Sequence, residues 1–356
     1  MNWNLNIQRT LGGNTTLMVG YVGSHAVHQA NVTDDQNMVL PTTLTSAGYL
    51  WPLPVGSGTT LNPAVGSIRS LYWDSSASYE GLQTQVTKKM SHGVQAQASY
   101  TWGKCIDAGS SGGPVSDMYL NALPSAQLFD PRARRGPCDF NLSQVLGVNY
   151  IWRLPTPKFG EAAMSYLLGN WEVGGIFNAS TGQNFTLLMS GDPLGQGNGA
   201  PNDYPDRLSG PGCANPVNPG NVNEYLKLNC FIPPTAPAAF QSQCANFTGI
   251  ATPPPNGQVY CANLFGNNGR NSVYGPGLID FDFSVYKNFP VAKISDVFNV
   301  QFRAEFFNIL NHANFQSPLN NSTIFTETGA PVGGAGAIDV TTTTSRQIQF
   351  ALKVIW

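Results

Sequence analysis

The sequence predicts an all-β chain: an antiparallel, up-and-down transmembrane β-barrel portion of about nine strands, with long outer loops and short periplasmic turns. Three observations predict it. The last fourteen residues, TTSRQIQFALKVIW, place Ile348, Phe350, Leu352, Val354 and Trp356 on one parity and Gln347, Gln349, Ala351 and Lys353 on the other. Such alternation is a strand with one apolar and one polar face. Charged residues are only 11% of the chain, against about 25% in soluble domains, yet no apolar run is long enough for a transmembrane helix. Finally, the connections between strands alternate strictly between short and long.

The strands are expected in this order. Asn2 to Thr10 alternates Trp3, Leu5 and Ile7 with Asn4, Asn6 and Gln8. Leu11-Gly12-Gly13 turns it into a second strand, Asn14 to Ser24, and the pair reads as a hairpin. Pattern is lost over 25–75, a long loop. Ser76 to Met90 and Val94 to Ile106 flank the turn Ser91-His92-Gly93, and the second of them sets Ala96, Ala98, Tyr100 and Trp102 opposite Gln95 and Gln97. Beyond a loop over 107–139 comes Phe140 to Arg153, then a medium connection over 154–169. Asn170 to about Leu188 reads as one strand with a bulge at Ser180 to Gln183, because glycine inside a strand pattern marks one. Residues 189–276 are dense in Pro, Gly and Asn and read as irregular. Gly277 to Phe289 and Asp296 to Leu310 flank a short turn, 290–295, and 311–342 leads to the closing strand.

Outer-membrane barrels have short periplasmic turns and longer outer loops. A Greek-key sandwich has no reason to sort its loops by parity. A secreted, carbohydrate-binding β-sandwich is the soluble alternative. A passive porin or adhesin-like small barrel is the membrane alternative; it requires an even strand count, and Leu61 to Tyr72 is the best place for a tenth strand. Nine strands would put Met1 and Trp356 on opposite sides and leave two edges unpaired in lipid, where each orphan backbone group is costly. The N-terminus also lacks the pattern of a signal peptide. Residues 1–356 are therefore expected to be the C-terminal part of a larger barrel.

Gln95, Gln97, Asp280, Asp282, Gln301, Arg303, Glu305, Gln347 and Gln349 are the candidate lumen lining, with Arg303 neutralising the aspartates. Phe350 and Trp356 are the candidate C-terminal assembly signal, with Trp356 at the interface. The six cysteines, Cys105, Cys138, Cys213, Cys230, Cys244 and Cys261, fall in or beside long connections, which suggests disulfides in an oxidising compartment. Pairing of sequence neighbours is favoured, each closing one loop and contributing roughly 3 kcal/mol in the chain-entropy account. No C-x-x-C spacing supports a metal site. His25 and His28 read as loop residues. The basic run Asp130 to Gly136 reads as a solvated loop. No nucleophile, zinc-protease or phosphate-loop motif occurs, so no catalysis, metal or cofactor is expected. A net charge of -2 gives no cue for nucleic acid.

Several stretches resemble the C-terminal barrel of Oar-like TonB-dependent receptors. They are Phe265 to Asn271 (FGNNGRN), Gly275-Pro276-Gly277, Asp280 to Ser284 (DFDFS), Gln301 to His312 (QFRAEFFNILNH), Asn314-Phe315 and Ser345 to Lys353 (SRQIQFALK). Trp3 to Gln8, Gly20 to Ser24, Tyr100 to Trp102, and Gly169-Asn170-Trp171 through Gly182-Gln183 also fit. The resemblance implies a barrel of about 22 strands with an N-terminal plug, a TonB box and a preceding carboxypeptidase-regulatory-like domain. It implies energised import, with outer loops 25–75, 107–139, 189–276 and 311–342 as the binding mouth. The implied partners are the plug, the remaining strands, TonB through a box outside this chain, the assembly machinery and outer-membrane lipid.

Overall fold

The structure is a computed structural model; it describes residues 1–33, 35–53, 60–110, 129–130, 132–156, 162–197, 203–291 and 298–356. Parts of the expected connections, at 54–59, 111–128, 131, 157–161, 198–202 and 292–297, lie outside the described residues. Nine strands make one antiparallel sheet in which sequence neighbours are spatial neighbours throughout. They are β1 (Asn2–Gly12), β2 (Thr15–Thr33), β3 (Ser70–Ser91), β4 (Val94–Asp107), β5 (Gln144–Arg153), β6 (Trp171–Ser180), β7 (Leu278–Pro290), β8 (Asn299–Phe307) and β9 (Gln347–Ile355). β1 and β9 form the two edges and do not pair with each other. A two-residue strand, Gly136–Pro137, pairs with the end of β4.

Register carries the parity across every ladder. Leu5 faces Tyr21, Tyr21 faces Leu82, and Leu82 faces Trp102. Val148 joins Ala98 to Phe177, Phe177 pairs with Phe281, and Ala304 joins Val285 to Phe350. All nine strands therefore present one continuous apolar face. That face is not packed against a second layer: Leu5 is 65% exposed, Phe350 66% and Leu352 73%. A sandwich buries such residues in a dry core. Here they are free to meet lipid, and the sandwich alternative fails on this point.

Aromatic side chains mark both borders of the face. Trp152, Trp356 and Phe289 lie at the short-turn end, and Trp3, Tyr21 and Trp102 toward the loop end. Trp152 pairs with Val94, so Trp102 stands about eight positions further along β4, roughly 26 Å at the usual strand rise. At the roughly 40° tilt of a barrel strand this length projects to about 20 Å of height, somewhat less than the apolar band of about 25 Å between aromatic girdles.

Three expectations need correction. β2 and β3 run 19 and 22 residues, longer than the Asn14 to Ser24 and Ser76 to Met90 segments read from pattern, and well beyond the roughly 9–11 residues that cross a membrane. β2 continues through a register shift between Ala26 and Gln29, where His28 takes φ +55°. His25 and His28 thus belong to a strand, and the bulge hid its continuation. β6 stops at Ser180. The expected bulge at Ser180 to Gln183 is where the chain leaves the wall, and a Cβ on Gly182 would collide with the Gly275 carbonyl. The tenth strand is not at Leu61 to Tyr72: residues 61–69 carry no strand, and 70–72 open β3.

The buried core sits in the loops. Phe185, Leu187, Met189, Tyr225, Leu226, Phe231, Val273, Ile324 and Phe325 pack in one cluster, and Leu50, Ala236, Cys244, Cys261 and Leu264 in another. The described parts of 189–276, expected to be irregular, thus fold with described parts of the other long loops into a compact cap.

Placing an arginine on the lipid face and on the lumen face separates the two environments. Phe350→Arg should destabilise the bilayer-folded protein by about 2–4 kcal/mol, whereas Gln349→Arg should be nearly neutral. Urea titration in vesicles, followed by heat-modifiable gel mobility, measures both.

Candidate functional site: the lumen face and the outer cap

The polar parity of the wall is concave. A cavity of about 530 Å³ is lined by Gln95, Asp282, Gln301, Arg303 and Glu305, together with Asn149, Glu172 and Tyr286. Gln97 and Asp280 share the parity, opposite Asn149 and Asn178, but lie outside this cavity. Gln347 and Gln349 face Phe307 and Glu305 on the edge strand. Arg303 is not ion-paired to Asp280 or Asp282 among the described residues. Its Nε donates to Gln301 Oε1 at 2.7 Å, and its guanidinium stacks over Tyr286 at 5.4 Å. Asp282 instead accepts the Asn308 backbone N–H at 2.9 Å. Glu172 pairs with Arg153 at 3.1 Å, an ion pair exposed enough to contribute little. The surface offers amides, carboxylates and one stacked cation. It suits polar contact with a solute or a protein surface.

The cap closes over the loop ends of the strands. Trp51, Phe129, Tyr204 and Phe265 form a ring cluster with centroid spacings of 5.0–6.2 Å. It joins the β2–β3, β4–β5 and β6–β7 connections. Asn263 donates through Nδ2 to the carbonyls of Trp51 and Gln243 and accepts from the Ala245 N–H. Disulfides join Cys105 to Cys138, Cys213 to Cys230 and Cys244 to Cys261. The last two close loops within the cap, and the first ties the end of β4 to the segment entering β5.

Arg270, in the FGNNGRN stretch, locks the cap to the wall. Its side chain is buried. Nε donates to the Arg134 carbonyl at 2.8 Å, and Nη1 to Ser110 Oγ at 3.0 Å and Asp139 Oδ1 at 3.4 Å. Nη2 donates to the Asp107 carboxylate and to the Asp107 carbonyl at 2.8 Å. Asn271 adds bonds to Asp139 and to the Pro137 carbonyl. Burial nevertheless holds the Asp139 carboxyl above its usual range, opposed by Asn271 and Arg270. Arg134, expected in a solvated run, is also buried and pairs with Asp74 at 2.6 Å; that bridge holds the Asp74 carboxyl below its usual range. Sequence reading missed Arg270. The available signal was a lone arginine among Gly and Asn in a charge-poor chain.

At the other rim, asparagines staple strands. Asn314 accepts from the Ile279 N–H and donates to the Ile279 carbonyl and Thr343 Oγ1. Asn308 and Asn311 adopt φ +47° and +51°, which asparagine tolerates. Asn308 bridges His312 to the Thr344 carbonyl. These bonds account for the asparagines of the NILNHANF segment.

With this geometry the chain is an outer-membrane β-barrel protein. It belongs to the outer membrane beta barrel domain family, whose profile matches residues 1–349, and its place is the outer membrane. Among solved structures it is similar to the outer membrane transporter YddB from Escherichia coli, at 9% identity and a TM-score of 0.41. The alignment covers 99% of this chain and 32% of that one, so the chain spans about a third of that structure's length. No curated protein matches it.

Removing Arg270 leaves Asp107 and Asp139 buried without their cation. Arg270→Met should cost about 3–5 kcal/mol and open the cap to limited proteolysis while the membrane wall stays intact. Asp203 gives a pH test. It is fully buried; burial, opposed by the Gly266 and Tyr204 N–H groups and reinforced by Asp206 and Asp192, raises its carboxyl well above the usual range. The folded cap therefore holds this proton more tightly than the unfolded chain. The stabilisation is complete below the ordinary carboxylate range and is lost as pH rises through the folded value. In Asp203→Asn, cap stability followed by protease protection should fall less between acidic and alkaline pH.

Proposed function

We propose that this chain is the C-terminal barrel wall and outer cap of an Oar-like TonB-dependent receptor, an outer-membrane active transporter. The observation that carries the reading is a polar inner wall lining a cavity, crowned by a folded cap built from the described parts of the long loops. An ordered outer vestibule above a polar lumen suits capture of a solute outside and its passage along the wall. The FGNNGRN, QFRAEFFNILNH and SRQIQFALK motifs support the same reading. On it, the unpaired edges of β1 and β9 meet the remaining strands of the barrel, since lipid tolerates no open edge. A plug domain rests against Gln95, Gln301, Arg303 and Glu305, and TonB acts through that plug. Phe350 and Trp356 present the end of the wall to the assembly machinery. The chain supplies walls and contacts; it performs no bond chemistry and needs no cofactor.

The alternative is a passive porin or adhesin-like barrel. Two measurements on the full-length gene product separate them. A receptor should show low conductance in planar bilayers and solute uptake that stops in cells lacking TonB. Large, steady conductance together with uptake independent of TonB would rule out the active transporter.

A further inference from the structure

The β5–β6 connection is more than a turn. It carries a short helix, α1 (Ala162–Leu168). A helix of this length does not hold itself together in water, and the carbonyls of its last turn have no partner inside it. The wall supplies those partners. Lys287 of β7 donates its Nζ to the Tyr166 carbonyl at 2.8 Å and to the Gly169 carbonyl. Trp171 Nε1 donates to the Leu167 carbonyl at 3.2 Å. A cation at a helix C-terminus also complements the helix dipole. The same Nζ lies over the rings of Phe289, Trp171 and Tyr166 at 5.2, 5.5 and 5.9 Å.

Lys287 stands on the lipid-facing parity, with Trp171 and Phe302 as its cross-strand partners. A charge on that face is costly in hydrocarbon. Lys88, also outward and near an inner turn, escapes by reaching the Gly13 carbonyl and Ser91 Oγ. Lys287 is instead 2% exposed, sealed beneath α1. Met164, and Leu167 and Leu168 one helical turn on, are 47%, 58% and 46% exposed. The helix that carries them sits on the outward face at the level of Trp171 and Phe289, where Tyr166 packs against Phe289 at 5.9 Å.

We propose that α1 is an interfacial foot: Met164, Leu167 and Leu168 enter the phospholipid of the inner leaflet of the outer membrane, and Lys287 with Trp171 pins the helix there. The occupant is lipid because the helix that carries the exposed patch sits on the lipid-facing side of the wall, at its inner aromatic border. Interfacial helices bind in this way, apolar side chains at the headgroup–acyl boundary. The proposal depends on the outer-membrane location of the chain and is independent of what the barrel transports.

All six cysteines of this chain are in disulfides, so a Leu167→Cys substitution in the full-length gene product adds one free thiol here for a nitroxide label. In vesicles of phosphatidylethanolamine and phosphatidylglycerol, collisions with oxygen should dominate over collisions with an aqueous nickel chelate at this position. A label at Thr43→Cys, on the exposed cap, should show the reverse. Adding Lys287→Met should raise nickel collisions and label mobility at 167. If that variant does not reach the heat-modifiable folded form, Trp171→Phe, which removes one hydrogen bond, should shift both readouts the same way. Nickel-dominated collisions at 167 in the otherwise native chain would overturn the foot. A label shielded from both reagents would overturn it too, by revealing a protein partner instead. Pin variants that fold and leave 167 unchanged would overturn the role of Lys287 and Trp171.

Discussion

A backbone inside hydrocarbon has no water to bond with, so each of its N–H and C=O groups must find a partner in the neighbouring strand. The whole wall follows from that constraint. Consecutive antiparallel ladders run from β1 to β9 without a crossover, and the polar groups of the main chain are spent on one another. Within the ladders, side chains are not needed to satisfy the backbone. They divide mainly by parity, apolar toward lipid and amide or charged toward the lumen, and the outward Lys88 and Lys287 are each hydrogen-bonded near a short-turn end. Among the described wall strands, the outer edges of β1 and β9 have no ladder partner.

The cap obeys the opposite logic. Its strands are two or three residues long, too short for ladders to satisfy the backbone. Side chains take over that role: Asp206 receives the N–H groups of Thr235 and Asn267, and Asn263, Asn271 and Asn314 each bind main-chain groups of distant segments. Buried polar groups of this kind are stabilising only when satisfied. Asp203 Oδ2 and both amide atoms of Asn268 have no hydrogen-bond partner among the described residues. For Asp203 the raised pKa follows directly, because a neutral carboxyl costs less to bury than an ionised one.

This contrast explains what could be read from the sequence. Parity is a local signal, and it located all nine wall strands and the sorting of long from short connections. It failed where the period breaks. Past Ser24 a left-handed His28 shifts β2 by a residue, and the strand's remaining length went unseen. At Gly182 a close crossing with Gly275 mimicked an internal bulge. The cap has no period at all. Arg270 meets Asp107 and Asp139 across sequence separations of 163 and 131 residues, and no spacing rule connects them. The lumen cavity was half legible for the same reason. Polar parity named Gln95, Asp282, Gln301, Arg303 and Glu305, but only the register of β5, β6 and β7 brings Asn149, Glu172 and Tyr286 beside them.

Cap and wall are two constructions, and the contacts that join them differ in character around the rim. Arg270 is buried against β4 and the Gly136–Pro137 strand, so lifting the cap off this rim would strand two carboxylates in a dry site, a cost of several kcal/mol. The rim at β7 and β9 is held by Asn314 and Asn308, through neutral hydrogen bonds of about 1 kcal/mol each. The Arg270 rim, closed further by the Cys105–Cys138 disulfide, is therefore held more strongly than the asparagine rim. Among the described residues, the buried guanidinium–carboxylate cluster around Arg270 thus decides which side of the cap is held hardest.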